Sequence, residues 1–124
     1  MADDPTFEIP VHPERRYTNR TVHYEGDVAF TLTPMDGRAG TVESLLADVL
    51  DTGPYRYGDW FDLPIAVFLV HDEETSDTFR VSIRDGTVTL HVLPDTTSAG
   101  LRAMYDRLVR KSECSWTVDR RVDV

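Results

Sequence analysis

Lysine is almost missing from this sequence, with a single one, Lys111, against twelve arginines. Cysteine is as scarce. Cys114 stands alone, which excludes an internal disulfide and any metal cage built from several thiolates. Its neighbours, Glu113 and Ser115, include no cation or histidine that would activate it as a nucleophile. Long apolar runs are also missing. The longest, residues 65–70, falls far short of the roughly 20 residues of a bilayer span, and MADDPTFEIP lacks the pattern of a signal peptide. These absences lead us to expect a water-soluble chain in the cytoplasm, without membrane association.

Catalytic and metal motifs are missing too. There is no G-x-S-x-G elbow, and serine and histidine never share a recognisable arrangement. GRAG (37–40) and the DGT turn (85–87) lack the third glycine and the lysine of a phosphate loop. No HxxxH or HExxH occurs, and the acidic stretch 72–77 lacks the glycine and twelfth-position glutamate of an EF-hand. Motifs therefore assign no catalytic residue, no cofactor and no metal site.

Acid is abundant. Fifteen Asp and seven Glu give a formal charge of −9 over 124 residues. In molar salt, carboxylates hold hydrated cations at the surface, net charge keeps molecules apart, and screening relieves self-repulsion. Lysine's long apolar stem is disfavoured under the same conditions. The composition is that expected of a cytosolic protein in a salt-accumulating cell, although a GC-rich genome favouring Arg and Asp codons gives the same bias. In this charge pattern the chain resembles small acidic haloarchaeal proteins, a resemblance that implies no activity. The length fits one domain, with a polar, frayed start at 1–5 and a core over about 20–122.

The most informative stretch is residues 65–93. Asp85-Gly86 is a two-residue turn of the kind that accepts positive φ and matches strand twist. A turn there sets Arg84 opposite Thr87, Ile83 opposite Val88, Val81 opposite Leu90 and Phe79 opposite Val92. One face of the hairpin then carries Phe79, Val81, Ile83, Val88, Leu90 and Val92. The other carries Arg80, Ser82, Arg84, Thr87, Thr89 and His91. The preceding strand, 65–71, is apolar on both faces, so both call for cover, either from the rest of the chain or from another subunit.

The remainder reads in order. Pro10 and Pro13 restrict 6–11 to an extended or edge segment, and 12–20 reads as a loop carrying Arg15, Arg16 and Arg20. Residues 21–24 and 28–33 read as short strands around Glu25-Gly26-Asp27. Thr41 is placed to cap a helix whose stripe is Val42, Leu45, Leu46, Val49 and Leu50, with Gly53 expected as its left-handed terminus before Pro54. A second helix over about 98–111 carries Leu101, Met104, Tyr105, Leu108 and Val109, and 115–122 alternates as a last strand. The order β-β-α-β-β-β-α, with an extra strand allowed at each end, predicts an α+β fold. Its antiparallel sheet would have about five strands, with two amphipathic helices packed on it. Over residues 20–111 this order is similar to that of profilin-like, longin and roadblock-type domains, a resemblance of topology that implies a five-stranded sheet and binding rather than chemistry.

Three surfaces are candidates for function. The segment 55–64 and the strand after it offer Tyr55, Tyr57, Trp60, Phe61, Ile65, Val67 and Leu69 as an interface, for a homodimer or an unknown protein partner. Filling the edge of the core is the competing role for those aromatics. Arg80 and His91, with Arg84 and His71 near, could hold a small anion through guanidinium forks, although a solvated sheet face has the same composition. His71 with the acids after it, or with His91, could ligate a metal. Arg15, Arg16, Arg20, Arg120 and Arg121, with Tyr17 for stacking, would suit nucleic acid, but the −9 charge opposes that partner. A non-catalytic, self-associating binding module is the function the sequence favours.

Overall fold

A computed structural model describes residues 7–17, 22–35, 42–59, 66–84 and 86–123. Along the chain the elements are β1 (Glu14–Tyr17), β2 (Val22–Glu25), β3 (Asp27–Pro34), α1 (Val42–Thr52), β4 (Tyr55–Asp59), β5 (Ala66–Asp72), β6 (Asp77–Arg84), β7 (Thr87–His91), α2 (Ser98–Ser112) and β8 (Trp116–Asp123). Six strands form one antiparallel sheet in the order β4-β5-β6-β7-β3-β8, and β1 pairs with β2 in a separate ribbon.

Alternation fixes the centre of the large sheet. Arg84 faces Thr87, Ile83 faces Val88, Val81 faces Leu90 and Arg80 faces His91, as the two-residue turn requires. Gly86 takes φ 74, a conformation that costs glycine little. From this register the apolar set of every strand falls on one face: Val28, Phe30 and Leu32 of β3, Val70 of β5, Phe79 and Val81 of β6, Val88 and Leu90 of β7. Both helices pack there. α1 buries Val42, Leu46, Val49 and Leu50, and α2 buries Leu101, Met104 and Leu108, the i, i+3, i+4 stripes of amphipathic helices. Each fully buried side chain of this size stabilises the fold by about 1.5–3 kcal/mol over leaving it in water. The result is an α+β sandwich of two layers, helices over one face of one sheet.

Several expectations need correction. Gly53 is not left-handed; among the described glycines only Gly26 and Gly86 have positive φ. It is glycine because a Cβ would come 2.8 Å from the Tyr55 ring and from the Val49 carbonyl oxygen. The turn out of α1 is made by Pro54, which cannot continue the helix. Residues 55–59, read only as an aromatic interface segment, form a strand, with Tyr55 opposite Asp72 and Tyr57 opposite Val70 of β5. β2 does not join the main sheet: Gly26, with φ 89, breaks the strand, and β2 pairs with β1 in the region read as a loop. The sheet reaches six strands because β4 and β8 take its two edges. Residues 7–13 are irregular and held by Phe7, whose ring packs 5.2 Å from Phe30 and 5.5 Å from Tyr105. The expected frayed start and the Thr41 cap lie outside the described residues.

Candidate binding face

The residues that alternate away from the helices build the second face of the sheet. Register lines up Leu69, Arg80, His91, Ala29 and Arg121 in one row across β5, β6, β7, β3 and β8. The next row is Val67, Ser82, Thr89, Thr31 and Asp119. Arg84 with Thr87, and His71 with Thr78, flank these rows on either side. The apolar residues that α1 and α2 bury against all lie on the opposite face, so neither helix covers this one. Val67 and Leu69 are half-buried, and Ala29 is 1 % exposed.

Polar contacts order the face. His91 Nε2 lies 2.8 Å from Ser82 Oγ, and His71 Nδ1 lies 2.8 Å from Thr78 Oγ1. Burial holds His91 below the ordinary histidine range; the Arg80 and Arg121 charges push the same way, and Asp27 opposes them. Arg121 Nη2 donates to Asp27 Oδ2 at 2.7 Å. The sign of charge therefore changes across the face. β6 contributes Arg80 and Arg84, while β3 and β8 contribute Asp27, Asp119 and, by register, Asp123, beside Arg121, which pairs with Asp27.

The residues proposed for an anion, Arg80, Arg84, His91 and His71, thus share one face, with Arg80 and His91 as direct cross-strand neighbours. The proposed interface divides. Val67 and Leu69 belong to the open face, whereas Tyr55 and Tyr57 point to the helical side. Tyr57 donates to Asp51 Oδ1 of α1 and packs edge-on to Phe68, with ring centroids 6.0 Å apart. Trp60, Phe61 and Ile65 lie outside the described residues, as does Arg20. Of the other arginines, Arg15 and Arg16 sit on β1, in the separate ribbon, opposite Tyr24 and His23, and Arg120 Nη1 donates to the Glu8 carbonyl at 3.2 Å. Among the described residues, no group of three or more His, Cys, Asp or Glu is arranged to hold a metal ion. No described helix is long and apolar enough to cross a membrane.

Sequence reasoning missed the polar centres on the helical side. The stretch 72–77, read as a solvated acidic loop, begins and ends in buried carboxylates, Asp72 and Asp77. Asp72 accepts from Arg107 Nη1 at 3.2 Å; the same guanidinium donates to Tyr55 Oη at 2.6 Å and to Glu74 at 3.1 Å, and lies 5.1 Å from the Tyr55 ring centre. Burial pushes the Tyr55 phenol up to about 12, with Arg107 pulling against it. Asp77 caps α2 from the sheet, accepting from Thr97 N at 2.8 Å, Thr97 Oγ1 at 2.9 Å and Gly100 N at 3.0 Å. One signal was available: a glycine in a helix's first turn is costly, and Gly100 is there because a Cβ would meet Asp77 Cγ at 2.7 Å. Two grooves of about 540 and 590 Å³ flank the Lys111–Asp48 ion pair that joins the two helices, away from the open face.

No family model, curated protein or solved structure matches the chain.

Proposed function

We propose that this protein is a non-catalytic binding module of a salt-rich cytoplasm, and that it self-associates through the open face of its sheet. The one-sided covering of that sheet carries the reading: six strands are roofed by helices on one face only, and the other presents an ordered, half-buried surface. Antiparallel sheets commonly leave one face to water, but such faces are usually built of side chains that alternate into solvent. Here Leu69 and Val67 stand among Arg80, Ser82 and His91, the mixture of apolar contact and guanidinium that interfaces favour.

Light scattering behind a sizing column, in roughly molar KCl, tests this. The wild-type chain is expected to run as a dimer and Leu69→Asp as a monomer with an unchanged circular-dichroism spectrum. A dimer that survives Leu69→Asp would count against the open face as the interface. The cross-strand Arg80–His91 pair supports a second reading, a small oxyanion held between them. Its mark would be a saturable rise in melting temperature with phosphate or sulfate that Arg80→Ala abolishes.

A further inference from the structure

We propose that the proton on His91 switches self-association through the open face: two copies join while the imidazole is neutral and part when it is charged. The inference rests on the self-association reading and names how that association is regulated.

His91 lies in the middle of one row of the face, with Leu69 and Arg80 to one side and Ala29 and Arg121 to the other. Its Nε2 is 2.8 Å from Ser82 Oγ. A hydroxyl can give or take a hydrogen bond, so this contact holds the ring without fixing its charge. Charged groups reach the ring from three strands. Arg80 stands directly opposite on β6, and Arg121 of β8 lies beyond Ala29 in the same row. Asp27 of β3 favours the charged imidazole, but it already accepts from Arg121 Nη2 at 2.7 Å. β5 brings Leu69 to the row and no charge. Burial is the largest influence and favours the neutral ring, as do both guanidiniums.

A second copy laid on this face would take still more water from a ring that is already half-buried. An imidazolium there would lose its hydration beside Arg80, a cost that the neutral ring escapes. The face as a whole adds to the effect. Register brings Arg80, Arg84 and Arg121 to it, with Asp27, Asp119 and Asp123, so acid and base match there in a chain that carries −9. Protonating His91 adds a positive charge to each copy and ends the match. In an isologous dimer both copies bring their own His91, so two protons are linked to one association. Because association selects the neutral form, it is complete above the histidine range and is lost as pH falls through it. Titrating carboxylates act in the opposite sense, since neutralising acids relieves the repulsion between two such chains. Loosening on acidification is therefore the mark of the imidazole.

Light scattering behind a sizing column, in roughly molar KCl at about pH 7.5 and about pH 5, reads the switch. The acid measurement is made at the lowest pH in that range that preserves the circular-dichroism spectrum. The wild-type dimer is expected to weaken by at least about tenfold between the two. His91→Gln, neutral throughout, should form a dimer whose affinity changes less than about threefold. His71→Gln, which alters the other histidine described on this face, should keep the wild-type dependence. His91→Lys carries a permanent charge and is expected to be a folded monomer at the higher pH. A wild-type dimer that does not weaken in acid, or a His91→Gln dimer that weakens as much as wild type, would overturn the switch while leaving self-association intact. A wild-type chain that is monomeric at the higher pH, even at high concentration, would end both readings.

Discussion

At the scale of the residue, His91 shows how a neighbourhood sets chemistry. It alternates outward on β7, yet its neighbours bury much of its ring and Ser82 engages Nε2. Burial and the two nearby guanidiniums favour the neutral imidazole, so its folded-state pKa lies below the 6.5 of the unfolded chain. The unfolded chain therefore takes up the proton first as pH falls. The stability that His91 contributes is complete above about 6.5 and is lost on acidification below it. His91→Asn should flatten the acid side of a stability-against-pH curve relative to wild type, read from urea melts at fixed salt. Equal slopes in the two proteins would sink this account.

At the scale of the element, α2 depends on a residue that is not part of it. Thr97, at its start, makes no side-chain cap of its own. The Asp77 carboxylate, 2 % exposed on β6, takes the orphan N–H groups of Thr97 and Gly100 instead, and so ties helix to sheet. Asp77→Ala is expected to cost about 2–4 kcal/mol, since it removes a cap and strands buried donors together. Chemical denaturation at constant KCl would measure it, and a loss under about 0.5 kcal/mol, the size of an ordinary surface substitution, would show that the cap is dispensable. Arg107 couples the other end of the same turn: it is 17 % exposed and joins α2 to Asp72 and to Tyr55 of β4. Both ends of an apparently solvated acidic loop are thus structural, and neither was legible from local sequence, because burial of a carboxylate depends on a donor about 20–35 residues away.

At the scale of the whole molecule, the −9 charge sets how the chain responds to salt. A chain with 22 carboxylates repels itself at low ionic strength. Raising KCl from about 0.1 to 1 M shortens the Debye length from about 10 to 3 Å. The thermal midpoint should rise across that range, monitored by circular dichroism, and a flat or falling midpoint would contradict adaptation to salt. The same screening favours the proposed approach of two acidic chains, which Leu69→Asp tests.

The sequence by itself determined the features governed by near neighbours. The β6–β7 register follows from a two-residue turn and strict alternation, and both helices follow from stripes that match those buried. It also brought Arg80, Arg84, His91 and His71 to one face, because strand periodicity alone assigns sides. Only the tertiary structure decided which side of β5 the helices cover, since that strand is apolar on both sides and carries no local preference. It alone placed Tyr55 and Tyr57 on the side opposite Leu69, set β3 beside β8, and turned Asp72 and Asp77 inward. Those outcomes depend on partners distant in the chain, whose contacts form only when the sheet has closed around them.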